Sequence, residues 1–136
     1  SSIRLVLNNN ISDFQQIRNI IDNYTEQCLI SDDMNIKINL VLDEMFTNIV
    51  SYAFTDGGQH DITVDIECDS EKFKAVLTDD GFEFDPLKYE VQDLNVPLNE
   101  RKIGGLGIHL MKNLMDEYQY KREDNKNVLT LIKLLN

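Results

Sequence analysis

Two kinds of apolar periodicity divide this chain, and their order limits the folds open to it. Phe14, Ile17, Ile21, Tyr24 and Cys28 recur at spacings of three and four, and Ile38, Val41, Leu42, Met45, Ile49 and Ala53 make a second stripe of the same kind. Each set reads as the buried face of a helix. Ser12 is a candidate N-cap for the first helix. The turn Ser31-Asp32-Asp33 separates the two, and the second helix runs from about residue 34 to 54, ending at Asp56-Gly57-Gly58. The period then falls to two. Ile62, Val64 and Ile66 lie in one run and Phe73, Ala75 and Leu77 in the next, a hairpin joined at Asp69-Ser70-Glu71. Residues 3–7 form an earlier strand, and Leu106, Leu110, Met111, Leu114 and Met115 mark the inner face of a third helix. Residues 118–122 and 128–134 are two closing strands around the polar turn Asp124-Asn125-Lys126-Asn127. Helices and strands are grouped, not strictly alternated. That favours an α+β fold, a two-layer sandwich with three helices on one face of a mixed, mainly antiparallel sheet, over a Rossmann arrangement.

The 136 residues leave room for one domain, 1–136, and 42% hydrophobic residues can furnish its core without a metal or disulfide staple. With 13 basic and 24 acidic residues the net charge is −11, which disfavours direct nucleic-acid binding and anionic membranes. Cys28 and Cys68 lie far apart with no CxxC and no nearby His pair, so reduced thiols and a cytoplasmic location are expected. No run approaches the roughly 18 apolar residues of a membrane span, and the N-terminal stretch has no long apolar segment of the kind a signal peptide carries. Residues 79–100 contain seven acids, one base (Lys88) and both prolines, the composition of a long loop of the kind used as a lid.

Three local patterns carry chemistry. Glu44 and Asn48 stand one turn apart at the edge of the second helix's apolar stripe, where a carboxylate and an amide oxygen can address one ligand. Taken singly, they also read as a solvated Glu and a locally bonded Asn. Asp79-Asp80-Gly81 ends a strand, where a carboxylate can accept from an exocyclic amine and Gly81 lets backbone approach a flat ring, although an acidic turn has the same composition. Gly104-Gly105-Leu106-Gly107 opens the third helix and suits either a phosphate cradle of backbone amides or a hinge; no GK[ST] follows it. His60 and His109 look isolated, at a turn and on a helix surface.

In this order, EMFTN from Glu44 to Asn48, DDG from Asp79 to Gly81, and GLG from Gly105 to Gly107 resemble the N, G1 and G2 boxes of the Bergerat ATP-binding fold. The longer stretches LDEMFTNIVSYAF, DDGFEFDP and GGLGIHLMKNLMDEYQY look most like the anti-sigma serine kinases. The resemblance implies ATP and Mg²⁺ as cofactors. It assigns Glu44 as the general base toward a serine hydroxyl, Asn48 as the Mg²⁺ ligand, Asp79 as the adenine reader with Gly81 as its turn, and Gly104, Gly105, Leu106 and Gly107 as the phosphate-binding lid end. Thr130 matches a strand hydroxyl near adenine, and reads equally as an ordinary strand threonine. Two positions depart from the pattern: Glu83 stands where relatives frequently have a second glycine, and Tyr52 where many carry His. Arg101 and Lys102 could offset γ-phosphate charge or remain solvated.

The function implied is a serine/threonine protein kinase that phosphorylates a STAS-domain anti-sigma antagonist and sequesters a sigma factor. The alternative is a nucleotide-gated binding module that regulates a partner without phosphorylating it. The first helix's stripe belongs to the core or, equally, to a homodimer or a sigma-factor contact.

Overall fold

A computed structural model describes residues 2–88 and 105–135. In chain order the elements are β1 (Ser2–Asn8), α1 (Asp13–Gln27), α2 (Asp32–Tyr52), β2 (Asp61–Cys68), β3 (Lys72–Asp79), a short 3₁₀ turn (Pro86–Lys88), α3 (Gly105–Leu114), β4 (Glu117–Glu123) and β5 (Lys126–Leu134). The five strands form one sheet in the order β1-β2-β3-β5-β4. Every pairing is antiparallel.

Strand alternation puts Ile62, Val64, Ile66, Phe73, Ala75, Leu77, Leu129 and Leu131 on the buried face, together with Asp79 and Asn127. Against it pack Phe14, Ile17 and Ile21 of α1, Ile38, Leu42, Met45 and Ile49 of α2, and Ile108 and Met111 of α3. Burying each such side chain contributes about 1.5–3 kcal/mol. The Phe14 and Phe46 rings, 5.9 Å apart, join the two long helices within this layer.

The helix starts differ from the sequence reading. Ser31 caps α2 by accepting from the Met34 amide at 3.2 Å, so the helix begins at Asp32. Ser12 precedes α1 but does not cap it. Its hydroxyl is turned back to Asn10 Oδ1 at 2.9 Å, and Asp13 instead accepts from the Asn8 amide at 3.0 Å.

The closing hairpin turns on Asp124-Asn125 alone. Both residues have positive φ, 51° and 61°, the left-handed pair that suits a tight two-residue connection between twisted strands. Lys126 and Asn127, expected in the turn, are therefore the first residues of β5.

A larger correction concerns the cysteines. Cys28, just past α1, and Cys68, the last residue of β2, form a disulfide with Cα atoms 6.2 Å apart. Forty residues of sequence hid a proximity that exists only once the helix layer lies on the sheet. Among the described residues no helix is long and apolar enough to cross a membrane.

Candidate functional site

Helix α2 is the spine of the site. At its C-terminal end the Ala53 carbonyl accepts from the Phe82 amide at 2.7 Å, which docks the turn after β3 onto the helix. Gly81 makes this approach possible: a Cβ there would overlap the Ala53 carbonyl and lie 2.8 Å from its Cβ. Nine residues earlier on α2, Glu44 faces the first turn of α3. A Cβ on Gly107 would overlap the Glu44 carboxylate and lie 2.6 Å from its Cγ. At 1.5 Å rise per residue, Glu44 and Ala53 are about 14 Å apart along the axis.

Asn48 stands between these two contacts, one turn beyond Glu44. It is buried, at 2% exposure, and its Nδ2 finds no hydrogen-bond partner among the described residues. A buried amide left with unused hydrogen-bonding capacity costs stability unless something else completes it. Glu44 is half-buried, and its pKa is raised above the ordinary glutamate value, first by burial and then by the charge of neighbouring Asp43. Asp43 itself is held by Arg18 at 2.9 Å.

Asp79, also 2% exposed, ends β3 on the buried face. Its Oδ1 accepts from the Gly81 amide and from Asn127 Nδ2, both at 2.9 Å. Burial raises its pKa, and these two hydrogen bonds oppose the rise. Asn127 sits directly opposite on β5. Arg122 adds a bond from Nη1 to the Gly81 carbonyl at 2.7 Å, so the turn is held from α2 on one side and from β4 on the other.

The fold therefore strings Glu44, Asn48 and the Gly81 turn along α2, with Gly107 against Glu44 and Asp79 beside Gly81. Gly105 and Leu106 are the first two residues of α3. Gly104, Arg101 and Lys102 lie outside the described residues. Thr130 is not brought to Asp79. It pairs with Val76 and Gln119 between the buried Leu129 and Leu131, which puts it on the other face of the sheet.

The two departures are accommodated. Glu83 is not among the residues with positive φ, so the turn has no need of glycine there. Tyr52 packs its ring on Phe84, centroids 5.4 Å apart.

His60 is not isolated. It stacks on Phe54 at 4.7 Å, with Nε2 2.8 Å from Asp56 Oδ2 and Nδ1 3.1 Å from Asp80 Oδ1. It thereby clasps the α2–β2 connection to the Asp79–Gly81 turn. A carboxylate at each ring nitrogen favours the imidazolium, and the pKa is raised, chiefly by the Asp56 hydrogen bond. Since the folded value lies above the unfolded one, this stabilisation is fully present below about pH 6.5 and is lost as pH rises through the folded value. The difference in thermal midpoint between the wild type and His60→Gln is expected to be largest near pH 6 and to shrink at more alkaline pH. A difference that stays constant across that range would remove the imidazolium from the account.

Residues 7–133 match the family model of the histidine kinase-like ATPase domain. The chain belongs to this family. Among the relatives of this ATPase domain, the serine/threonine-protein kinase BtrW of Bordetella bronchiseptica is 32% identical over 98 residues, covering 72% of this chain and 69% of that one. The serine-protein kinase RsbW of Halalkalibacterium halodurans is 31% identical over 102 residues, covering 72% of this chain and 61% of that one. In fold, the histidine kinase-like ATPase domain superposes on a crystal structure of the RsbU and RsbW domains of a Mycobacterium tuberculosis protein. The TM-score is 0.67 at 14% identity, over 98% of this chain and 32% of that one. The histidine kinase AdeS of Acinetobacter baumannii gives a TM-score of 0.52 at 16% identity, over 98% and 68% of the two chains.

Proposed function

We propose that this domain binds ATP with Mg²⁺ and transfers the terminal phosphate to a serine of a partner protein, a STAS-domain anti-sigma antagonist, while also holding a sigma factor. The observation that carries the reading is the span on α2. Ala53, on which the Asp79–Gly81 turn docks, and Glu44, which faces Gly107, stand about 14 Å apart along the helix axis, on the scale of an extended nucleoside triphosphate. The kinase relatives of about one-third identity support the reaction class, and the resemblance to the anti-sigma serine kinases suggests the partners.

In this reading Asp79 accepts from the adenine amine. The first-turn amides of α3, from Gly105 through Leu106 to Gly107, hold phosphate oxygens, with Gly104 continuing the cradle. Glu44 takes the serine proton, a task for which a carboxylate pushed up from its usual range is suited. Phosphoryl transfer depends mainly on positioning and charge neutralisation. The Mg²⁺ site fits the residues present: Asn48 offers a hard amide oxygen on a side chain whose nitrogen is unpartnered, one turn from Glu44. Among the described residues no three His, Cys, Asp or Glu side chains gather, so the ion would rest largely on phosphate and water. When bound, it would neutralise phosphate charge that a chain of net charge −11 cannot.

Calorimetry tests the site. ATP is expected to bind in the presence of Mg²⁺, and Asn48→Ala to weaken that binding by about 10–100-fold while leaving the metal-free affinity nearly unchanged. Equal losses with and without Mg²⁺ would remove Asn48 from the metal. Binding of ATP and partner with no phosphorylated product would favour the nucleotide-gated module.

A further inference from the structure

Asn127 is buried, at 4% exposure, and its side chain is fully used. Nδ2 donates to Asp79 Oδ1 at 2.9 Å and to the Phe82 carbonyl at 2.7 Å. Oδ1 accepts from the Phe84 amide at 3.1 Å, the Tyr120 hydroxyl at 2.5 Å and Arg122 Nη1 at 3.1 Å. This network fixes the amide's orientation. Flipped, its oxygen would face two acceptors, Asp79 Oδ1 and the Phe82 carbonyl, and its nitrogen would face two obligate donors, the Phe84 amide and Arg122 Nη1. The side chain thus connects β3, the turn at Gly81–Phe84, β4 and β5.

The consequence falls on Asp79. Its Oδ1 is occupied by Gly81 and Asn127, and no hydrogen bond reaches Oδ2 among the described residues. We propose that Asn127 is the positioning residue of the Asp79 carboxylate: by holding Oδ1 it leaves Oδ2 as the lone acceptor, which selects a base with an exocyclic amino group over one with an oxo group in its place. This rests on the ATP-binding reading and adds to it the residue that sets base choice.

The donor from Asn127 favours the ionised carboxylate against burial, and only an ionised Oδ2 is purely an acceptor. A second carboxylate at position 127 would reverse this, since two buried neighbours share a proton. Asp79 would then be able to donate to an oxo group. The other charged or titratable groups around the pair are Asp80, Arg122 and Tyr120, with Glu83 and Asp85 acting on Tyr120.

The test is the ratio of ITP to ATP dissociation constants in the wild type, Asn127→Asp and Asn127→Ala, with thermal melting to confirm that each variant folds. The wild type is expected to prefer ATP. In Asn127→Asp the preference is expected to fall by about tenfold or more and to recover as rising pH ionises the pair, one tenfold step corresponding to one pKa unit. Asn127→Ala, which has no side-chain donor for Asp79, is expected to lower the preference in the same direction and serves if the Asp variant does not fold. An unchanged ratio with both nucleotides weakened equally would overturn the proposal, leaving Asn127 a structural residue and the ATP-binding reading in place. A wild type that binds ATP and ITP alike would overturn it too. A wild type that binds neither nucleotide would overturn the ATP reading itself, and the proposal with it.

Discussion

Glu44→Gln is expected to lower phosphate transfer to a cognate antagonist by about 10²–10⁴-fold, the usual contribution of a positioned base. ATP affinity should stay within a few-fold of the wild type, because the change keeps the side chain's shape against Gly107 and removes only its proton-accepting capacity. Labelled ATP with a cognate STAS-domain antagonist measures the first quantity and calorimetry the second. The pKa direction adds two further expectations. Transfer should fall as pH drops through a value above the ordinary glutamate range, since the base is then protonated. Stability moves oppositely: a carboxylate raised in the fold is disfavoured once ionised, so the domain loses stability as pH rises from about 4.3 through the folded value. The Gln variant escapes that loss and should melt no lower than the wild type at neutral pH. A fully active Glu44→Gln protein would overturn the assignment of Glu44 as the base.

Opening the Cys28–Cys68 bond is expected to cost about 4 kcal/mol of unfolding free energy, the chain-entropy value for a loop of 40 residues. For a domain whose whole margin is about 5–15 kcal/mol this is a large share. Urea unfolding with and without reductant measures it, and Cys68→Ser should reproduce the reduced midpoint. Coincident midpoints for oxidised and reduced protein would show that the link contributes nothing. In a reducing cytoplasm the reduced midpoint is the relevant one, and there the apolar layer built on Phe14, Phe46 and Phe73 would hold the fold alone.

Much of the fold was legible because buried apolar residues announce their period. Phe14, Ile17, Ile21 and Tyr24 mark α1, and the alternation through Ile62 to Ile66 and Phe73 to Leu77 marks β2 and β3. Polar residues announce nothing comparable. Asn48 sits at the edge of its stripe by angle, and only packing shows that it is buried with an unpartnered nitrogen. Asn127 reads as part of a turn because four polar residues run together. The signal that could have separated it was Asp124-Asn125, a pair able to take positive φ, which shifts the strand start and sets Asn127 opposite Asp79. With that register known, Thr130 would have been assigned to the opposite face at once. His60 gave no signal, since its partners Asp56 and Asp80 come from two separate connections.

The pairing of β3 with β5 runs unbroken from Lys72↔Leu134 to Asp79↔Asn127. Everything between Asp79 and Asn127 in sequence, including α3 and β4, is inserted between these two facing residues. In the ATP-binding reading, the end that would read the base is therefore closed by two adjoining strands whatever the length of the intervening chain. Insertions or deletions in the intervening chain should leave the Asp79–Asn127 pair in place, and with it the proposed choice of base.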